Sequence, residues 1–292
     1  MAANLEQAAA SVLVGIVTHN RAAVLPKAIA SALKQSYRPL AVAVHDDGSS
    51  YGTGALAGSF PQVRWQRSDT RQGLIQARNR LMLAADVDYF VSLDDDAWFI
   101  DGDEVAVAVD LLDRMPGAAA VAFDILSRSH PRPAPRGQAH AVGMFIGCGH
   151  VLRLSAVRRL GGYADFAGGY GGEEKDLSLR LIDAGFEILQ VDGLHVWHEE
   201  SALARDLGQQ HRSGVNNDLT MALRRFPAAV LVPLLAWKLV RHLIFALRHG
   251  LLRPALAGMR DWSAAIPAIW RTRAPVGLAA VRRFYSLSRG RA

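Results

Sequence analysis

Apolar runs that end in polar clusters punctuate the first hundred residues. Ser11-Val-Leu-Val-Gly-Ile-Val17 has the continuous apolar character of a buried strand and runs into Thr18, Asn20 and Arg21. Leu40 to His45 is a second such run and ends in Asp46-Asp47-Gly48-Ser49-Ser50. Val63 to Gln66 is a short third, and Asp88 to Leu93 a fourth that runs straight into Asp94-Asp95-Asp96. Between them, Asn20 is placed to cap a helix that reaches about Lys34, with Pro26 tolerated in its first turn. Gly73 to Ala84 reads as a further helix. Strands alternating with helices predict right-handed βαβ units, and so an α/β fold with a mostly parallel sheet flanked by helices. In such a sheet the polar strand ends lie side by side along one edge, where open α/β folds bind nucleotides.

The middle of the chain is less regular. A helix is expected from about Gly102 to Arg114 and a strand from Ala118 to Asp124. Ser127 to Gly137 carries three prolines and reads as a loop. Ala141 to Leu152 reads as strand and turn, and its glycines fit a close backbone approach to a ligand or another strand, or a bend in the sheet. A glycine-rich stretch, Gly168 to Gly172, leads into a helix with Glu173 and Glu174 in its first turn and Asp176 and Arg180 as an i,i+4 pair. Phe186 to Val191 is a strand, followed by His195-Val-Trp197-His198.

Three adjacent carboxylates repel one another, so Asp94, Asp95 and Asp96 each need a cation or a hydrogen-bond donor. A hard divalent ion meets that need, and a solvated acidic turn is the plainer alternative. Glu173 and Glu174 are open to a plain account too, because acids favour helix N-termini. Gly52-x-Gly54-x-x-x-Gly58 follows the second strand rather than the first and comes after two acids, so it is no dinucleotide fingerprint; no P-loop run exists.

Composition sharpens the picture at two points. Cys148 is the single cysteine, which excludes a disulfide framework and fits a reducing compartment. Met1 to Ala10 lacks a basic, apolar leader, so a cytoplasmic chain is expected. The net charge of +6 is unevenly spread: Leu223 to Ala292 holds thirteen Lys and Arg against one acid, Asp261, leaving 20 basic and 26 acidic residues before it. An acidic body of about −6 argues against nucleic acid as a partner. The tail contains an uncharged apolar run, Phe226 to Trp237, interrupted by Pro227 and Pro233 and shorter than the about 20 residues that span a bilayer. Beyond it Lys238, Arg241, His242, Arg248, His249 and Arg253 recur at helical spacing among apolar residues. That is the pattern of a basic amphipathic extension suited to an anionic membrane surface, or of a helical cap with a solvated face.

Taken together, Thr18-His-Asn20-Arg21, Asp46-Asp47-Gly48-Ser49, Arg78-Asn79, Asp94-Asp95-Asp96, Gly161-Gly-Tyr163, Glu173-Glu174-x-Asp176-Leu and Val196-x-His198 resemble, in order and spacing, the family 2 glycosyltransferases of the GT-A fold, rhamnosyltransferase-like bacterial members among them. The resemblance runs from Val12 to Phe226. It implies that Asp47 accepts from a pyrimidine base, that Thr18, Asn20, Arg21, Arg78, Asn79, Asp94 and Asp95 line the nucleotide sugar, and that Asp94 and Asp96 form the D-x-D motif. Asp94, Asp96 and His198 would then hold Mg2+ or Mn2+, and Glu174, with Glu173 as its rival, would be the base of an inverting transfer. The implied donor is a UDP- or dTDP-sugar and the implied acceptor a glycan, lipid-linked saccharide or other glycoside. Residues 1–222 would form the catalytic domain, with a donor half at 11–100 and an acceptor half at 101–222, and 223–292 the extension, peripheral on the inner face of the membrane. A nucleotidyltransferase and a catalytically silent glycan- or membrane-binding module are the alternatives.

Overall fold

The computed structural model describes residues 9–131, 133–167, 171–199 and 206–288. The donor-side elements are β1 (Val12–Thr18), α1 (Leu25–Leu33), β2 (Leu40–Asp47), α2 (Leu56–Ser59), β3 (Arg64–Ser68), α3 (Leu74–Ala84) and β4 (Tyr89–Asp94). Next come β5 (Ala97–Phe99), α4 (Glu104–Arg114), β6 (Ala118–Leu126), β7 (Ala139–Ala141), β8 (Gly149–Arg153), α5 (Leu154–Arg159), α6 (Glu173–Asp183) and β9 (Glu187–His198). Four helices close the chain: α7 (Leu207–Arg225), α8 (Ala228–Arg248), α9 (Leu252–Arg271) and α10 (Leu278–Ser288).

One sheet runs through the molecule in the order β3-β2-β1-β4-β8-β6-β9-β5, with β7 added on β9. Its donor half is parallel, as the βαβ alternation predicts, whereas β8, β5 and β7 pair antiparallel. Alternation along β1 sends Val12, Val14 and Ile16 into the core on one sheet face and Leu13 into the core on the other. Each such side chain contributes about 1.5–3 kcal/mol by leaving water. The parallel register sets Thr18 opposite Asp46, and Val17 opposite Asp94, so the polar strand ends do share one edge.

Asn20 does not cap α1. It sits at φ +55°, and its Oδ1 accepts from the Ser50 N–H at 2.8 Å, so it ties the loop after β1 to the loop after β2. Pro233 does not interrupt the tail: α8 runs through it for 21 residues. Both Pro233 and Ala229, four residues earlier, are exposed, so water can satisfy the carbonyl that loses its helical partner. The tail also packs on the α/β body. Leu231, Ile269, Val276, Val281 and Phe284 belong to the same buried cluster as Leu177 and Ile188 of the α/β body.

Candidate active site

β4 ends at Asp94, and Asp95 and Asp96 make the turn into β5. β5 lies antiparallel to β9 with Ala97 opposite His198. That register carries the His198 Nε2 to 3.2 Å from the Asp96 Oδ1. One ligand atom each from Asp94, Asp96 and His198 falls within 4.8 Å of the others. Two carboxylate oxygens and an imidazole nitrogen in that space fit a divalent ion such as Mn2+ or Mg2+.

Asp95, between the two, has a different task. Its carboxylate accepts from the Thr18 Oγ1 at 2.7 Å and from the Arg21 Nη1 at 2.8 Å, and Arg21 also reaches Asp96 at 3.1 Å. Burial raises the Asp95 pKa to about 6 against the pull of Arg21 and Thr18. Thr18 and Arg21 thus fix the acidic turn from the β1 side.

Arg78 is the pivot. Its guanidinium is 2 % exposed and lies 2.9 Å from Asp94, 3.2 Å from Glu174 and 3.5 Å from Glu173. Burial works against its charge, but Asp94, Tyr163 and the two glutamates together raise its pKa. Behind it His150 and Tyr163 share a 2.5 Å hydrogen bond, and burial with the nearby Arg78 lowers the His150 pKa to about 3, so this imidazole is neutral.

The two glutamates differ. The Glu173 side chain is 1 % exposed, and burial followed by the adjacent Glu174 raises its pKa to about 8. The Glu174 side chain is 16 % exposed and open to an incoming group. A Cβ on Gly147 would sit 2.1 Å from the Glu174 Oε1, so only glycine there leaves room for the Arg78–Glu174 contact. The start of α6 is held by α7: Asn217 donates to the Gly171 carbonyl at 2.8 Å, and Asp218 takes Lys175 at 3.2 Å. Asp176, fully buried, accepts from Arg180 and from Arg225, both at 2.6 Å, and Arg180 donates to the carbonyls of Leu160 and Gly162. Residues 168–170 of the expected acceptor-side loop lie outside the described residues.

Three residues expected along the nucleotide are engaged with protein. Asp47 is 2 % exposed, and its two oxygens accept from the backbone N–H groups of Gln72 and Gly73 at 2.7 and 2.9 Å, which fixes the entry to α3. The Asn79 amide exchanges two hydrogen bonds with the Tyr163 backbone, at 2.8 and 2.9 Å, and so braces that loop. Asn20 joins the two loops described above. Sequence reasoning reaches Gly147 only as one of the glycines of a close backbone approach, and does not reach Asn217 or Asp218. The glycine-rich run around Gly147 was a visible signal; the other two act across a tertiary contact that no local pattern marks.

Glycosyl transferase family 2 matches residues 13–158, half of the chain. No curated protein sequence matches. Solved structures of the same fold include GalNAc-T7 with UDP, GalNAc and Mn2+, at 16 % identity and TM-score 0.63 over 76 % of this chain and 49 % of GalNAc-T7. This chain therefore spans about half of that protein's length. The mannosyltransferase PcManGT from Pyrobaculum calidifontis, in complex with GDP-Man and Mn2+, is 17 % identical with TM-score 0.59, covering 94 % of this chain and 78 % of its own. S. aureus TarS 1–349 in complex with UDP-GlcNAc is 14 % identical with TM-score 0.64, covering 95 % and 84 %.

Proposed function

The chain belongs to glycosyl transferase family 2, and on that premise we propose that it moves a sugar from a nucleoside-diphosphate sugar to an acceptor hydroxyl with inversion. The observation that carries this reading is the joining of three ligand atoms within 4.8 Å to the glutamate pair through Arg78. Asp94, Asp96 and His198 would hold Mg2+ or Mn2+, which supplies positive charge beside the departing diphosphate. Arg21 and Thr18 keep the acidic turn from springing apart. Glu174 takes the proton of the acceptor hydroxyl as its oxygen bonds to the anomeric carbon and the carbon–oxygen bond to the diphosphate breaks. Arg78 holds Glu174 and Asp94 at a fixed separation, so base and leaving-group site stay in register. Glu173, buried behind them, packs against Arg78 rather than meeting substrate. The acceptor is a glycan, a lipid-linked saccharide or another glycoside, and the enzyme is cytoplasmic.

A thermal-shift screen with UDP, dTDP, GDP, CDP and ADP, each with and without Mn2+, tests the reading. A ligand at about 100 times its dissociation constant adds about 2.7 kcal/mol. The expected result is a Mn2+-dependent rise for UDP or dTDP that His198→Ala removes. Turnover then releases nucleoside diphosphate. No shift with any nucleotide overturns the reading, and release of pyrophosphate instead assigns a nucleotidyltransferase.

A further inference from the structure

α8 turns part of its apolar surface outward. Its polar middle, Lys238 and His242, points inward, and Lys238 is 1 % exposed. Leu231 and Ala246 are buried with it, yet large apolar residues point outward: Val232 is 74 % exposed, Trp237 53 %, Val240 55 %, Ile244 45 % and Leu247 66 %. A helix on a water-facing surface shows the reverse pattern. Residues at this spacing form one continuous strip, and Leu252 and Leu256 at the start of α9 are exposed beyond its end. An apolar strip of this extent marks a surface that meets something other than water.

The rim of the strip says what it meets. Arg241, Arg248, His249 and Arg253 are all exposed around it, and the Arg241 guanidinium stacks over the Trp237 ring at 4.8 Å. Tryptophan and arginine at the border of an apolar strip match the apolar-to-headgroup boundary of a bilayer, and the positive rim complements anionic lipid. By length and composition α8 could cross a membrane, and only 17 % of its most apolar window is buried. The inward face forbids crossing. Lys238 lies 2.5 Å from Asp218 of α7, and His242 and Arg241 reach the same carboxylate at 3.0 and 3.1 Å. A crossing α8 would have to break this cluster in hydrocarbon or drag α7 in with it.

We infer that the outward face of α8, continued by Leu252 and Leu256, lies flat in the headgroup layer of an anionic bilayer while Asp218 holds its inward face to the catalytic body. This inference stands on the surface alone and does not require the transferase reading.

The experiment is flotation of the full chain with vesicles of phosphatidylcholine alone or of phosphatidylcholine with phosphatidylglycerol. The protein should float with the anionic vesicles only, and added salt should weaken the association. Val240→Glu combined with Ile244→Glu changes two exposed side chains. It should cut vesicle partitioning at least tenfold and leave the thermal midpoint and any nucleotide-dependent shift unchanged. Vesicle-bound protein should be stripped by alkaline carbonate. No flotation of the parent chain, undiminished flotation of the double variant, or resistance to carbonate would each overturn the proposal. So would a dimer that this double variant dissociates without any vesicle binding.

Discussion

Glu173 and Glu174 are neighbours in one helical turn, yet they occupy different surroundings. Glu174 combines solvent access with an Arg78 contact at 3.2 Å. Glu174→Gln keeps the shape and removes the proton acceptor, so turnover should fall by about 10²- to 10⁴-fold while the nucleotide-dependent thermal shift persists. Unchanged turnover would move the base elsewhere. Glu173 offers a pH test. Its folded pKa is raised from 4.5 to about 8, chiefly by burial, so between those values the native state keeps a proton that the unfolded chain releases. Rising pH through that window therefore lowers stability, by at most about 1.4 kcal/mol per pH unit. In metal-free protein, Glu173→Gln should match the parent near pH 4.5 and gain on it as pH climbs to 8, read as the difference in thermal midpoint. Gly147→Ala belongs at the same scale. A Cβ 2.1 Å from the Glu174 Oε1 must displace that flexible carboxylate. A shift of about 1 Å in a reacting group can cost on the order of 100-fold in rate. Steady-state kinetics should show kcat reduced with the fold intact by circular dichroism.

Among elements, the hold of α7 on α6 matters most. Asn217 and Asp218 grip Gly171 and Lys175, the residues that flank the glutamate pair. Burial alone would raise the Asp218 pKa, yet His242, Lys175 and Lys238 hold it well below the usual range. Burial and the nearby Lys175 lower the Lys238 pKa to about 8 even so. Asp218→Ala would leave Lys238 buried and unpaired, a loss of about 3–5 kcal/mol in urea unfolding. Adding Lys238→Met should restore much of it, and simple additivity of the two changes would deny the pairing. Elements with strong local pattern were legible: β1, β2 and β4 announce themselves by apolar runs that stop at polar residues, and the shared edge follows from parallel pairing. Partners across the fold were not. The meeting of His198 and Asp96 depends on an antiparallel register between β5 and β9, and the Arg78 bridge depends on where α3 lands against α6. Asp47 and Asn79 also carry backbone partners that residue type alone does not mark. Pro233 suggested a break that an exposed helix face tolerates.

For the whole molecule, charge and packing point the same way. The acidic body and the basic tail, about −6 and +12, give the chain one face suited to an anionic surface and another repelled by it. That orientation works only if the tail is rigidly joined, and its inner side supplies the join. Leu231, Ile269, Val276, Val281 and Phe284 pack into the main core beside Leu177 and Ile188. At about 1.5–3 kcal/mol for each large side chain buried, losing these contacts removes an amount comparable to the roughly 5–15 kcal/mol that holds a domain together. A chain ending at Phe226 should therefore fail to fold cooperatively, giving aggregated protein with a broad thermal transition. If instead the shortened chain is soluble, unfolds sharply and keeps its nucleotide response, then residues before 223 are a self-sufficient domain. In that case the tail serves the surface alone.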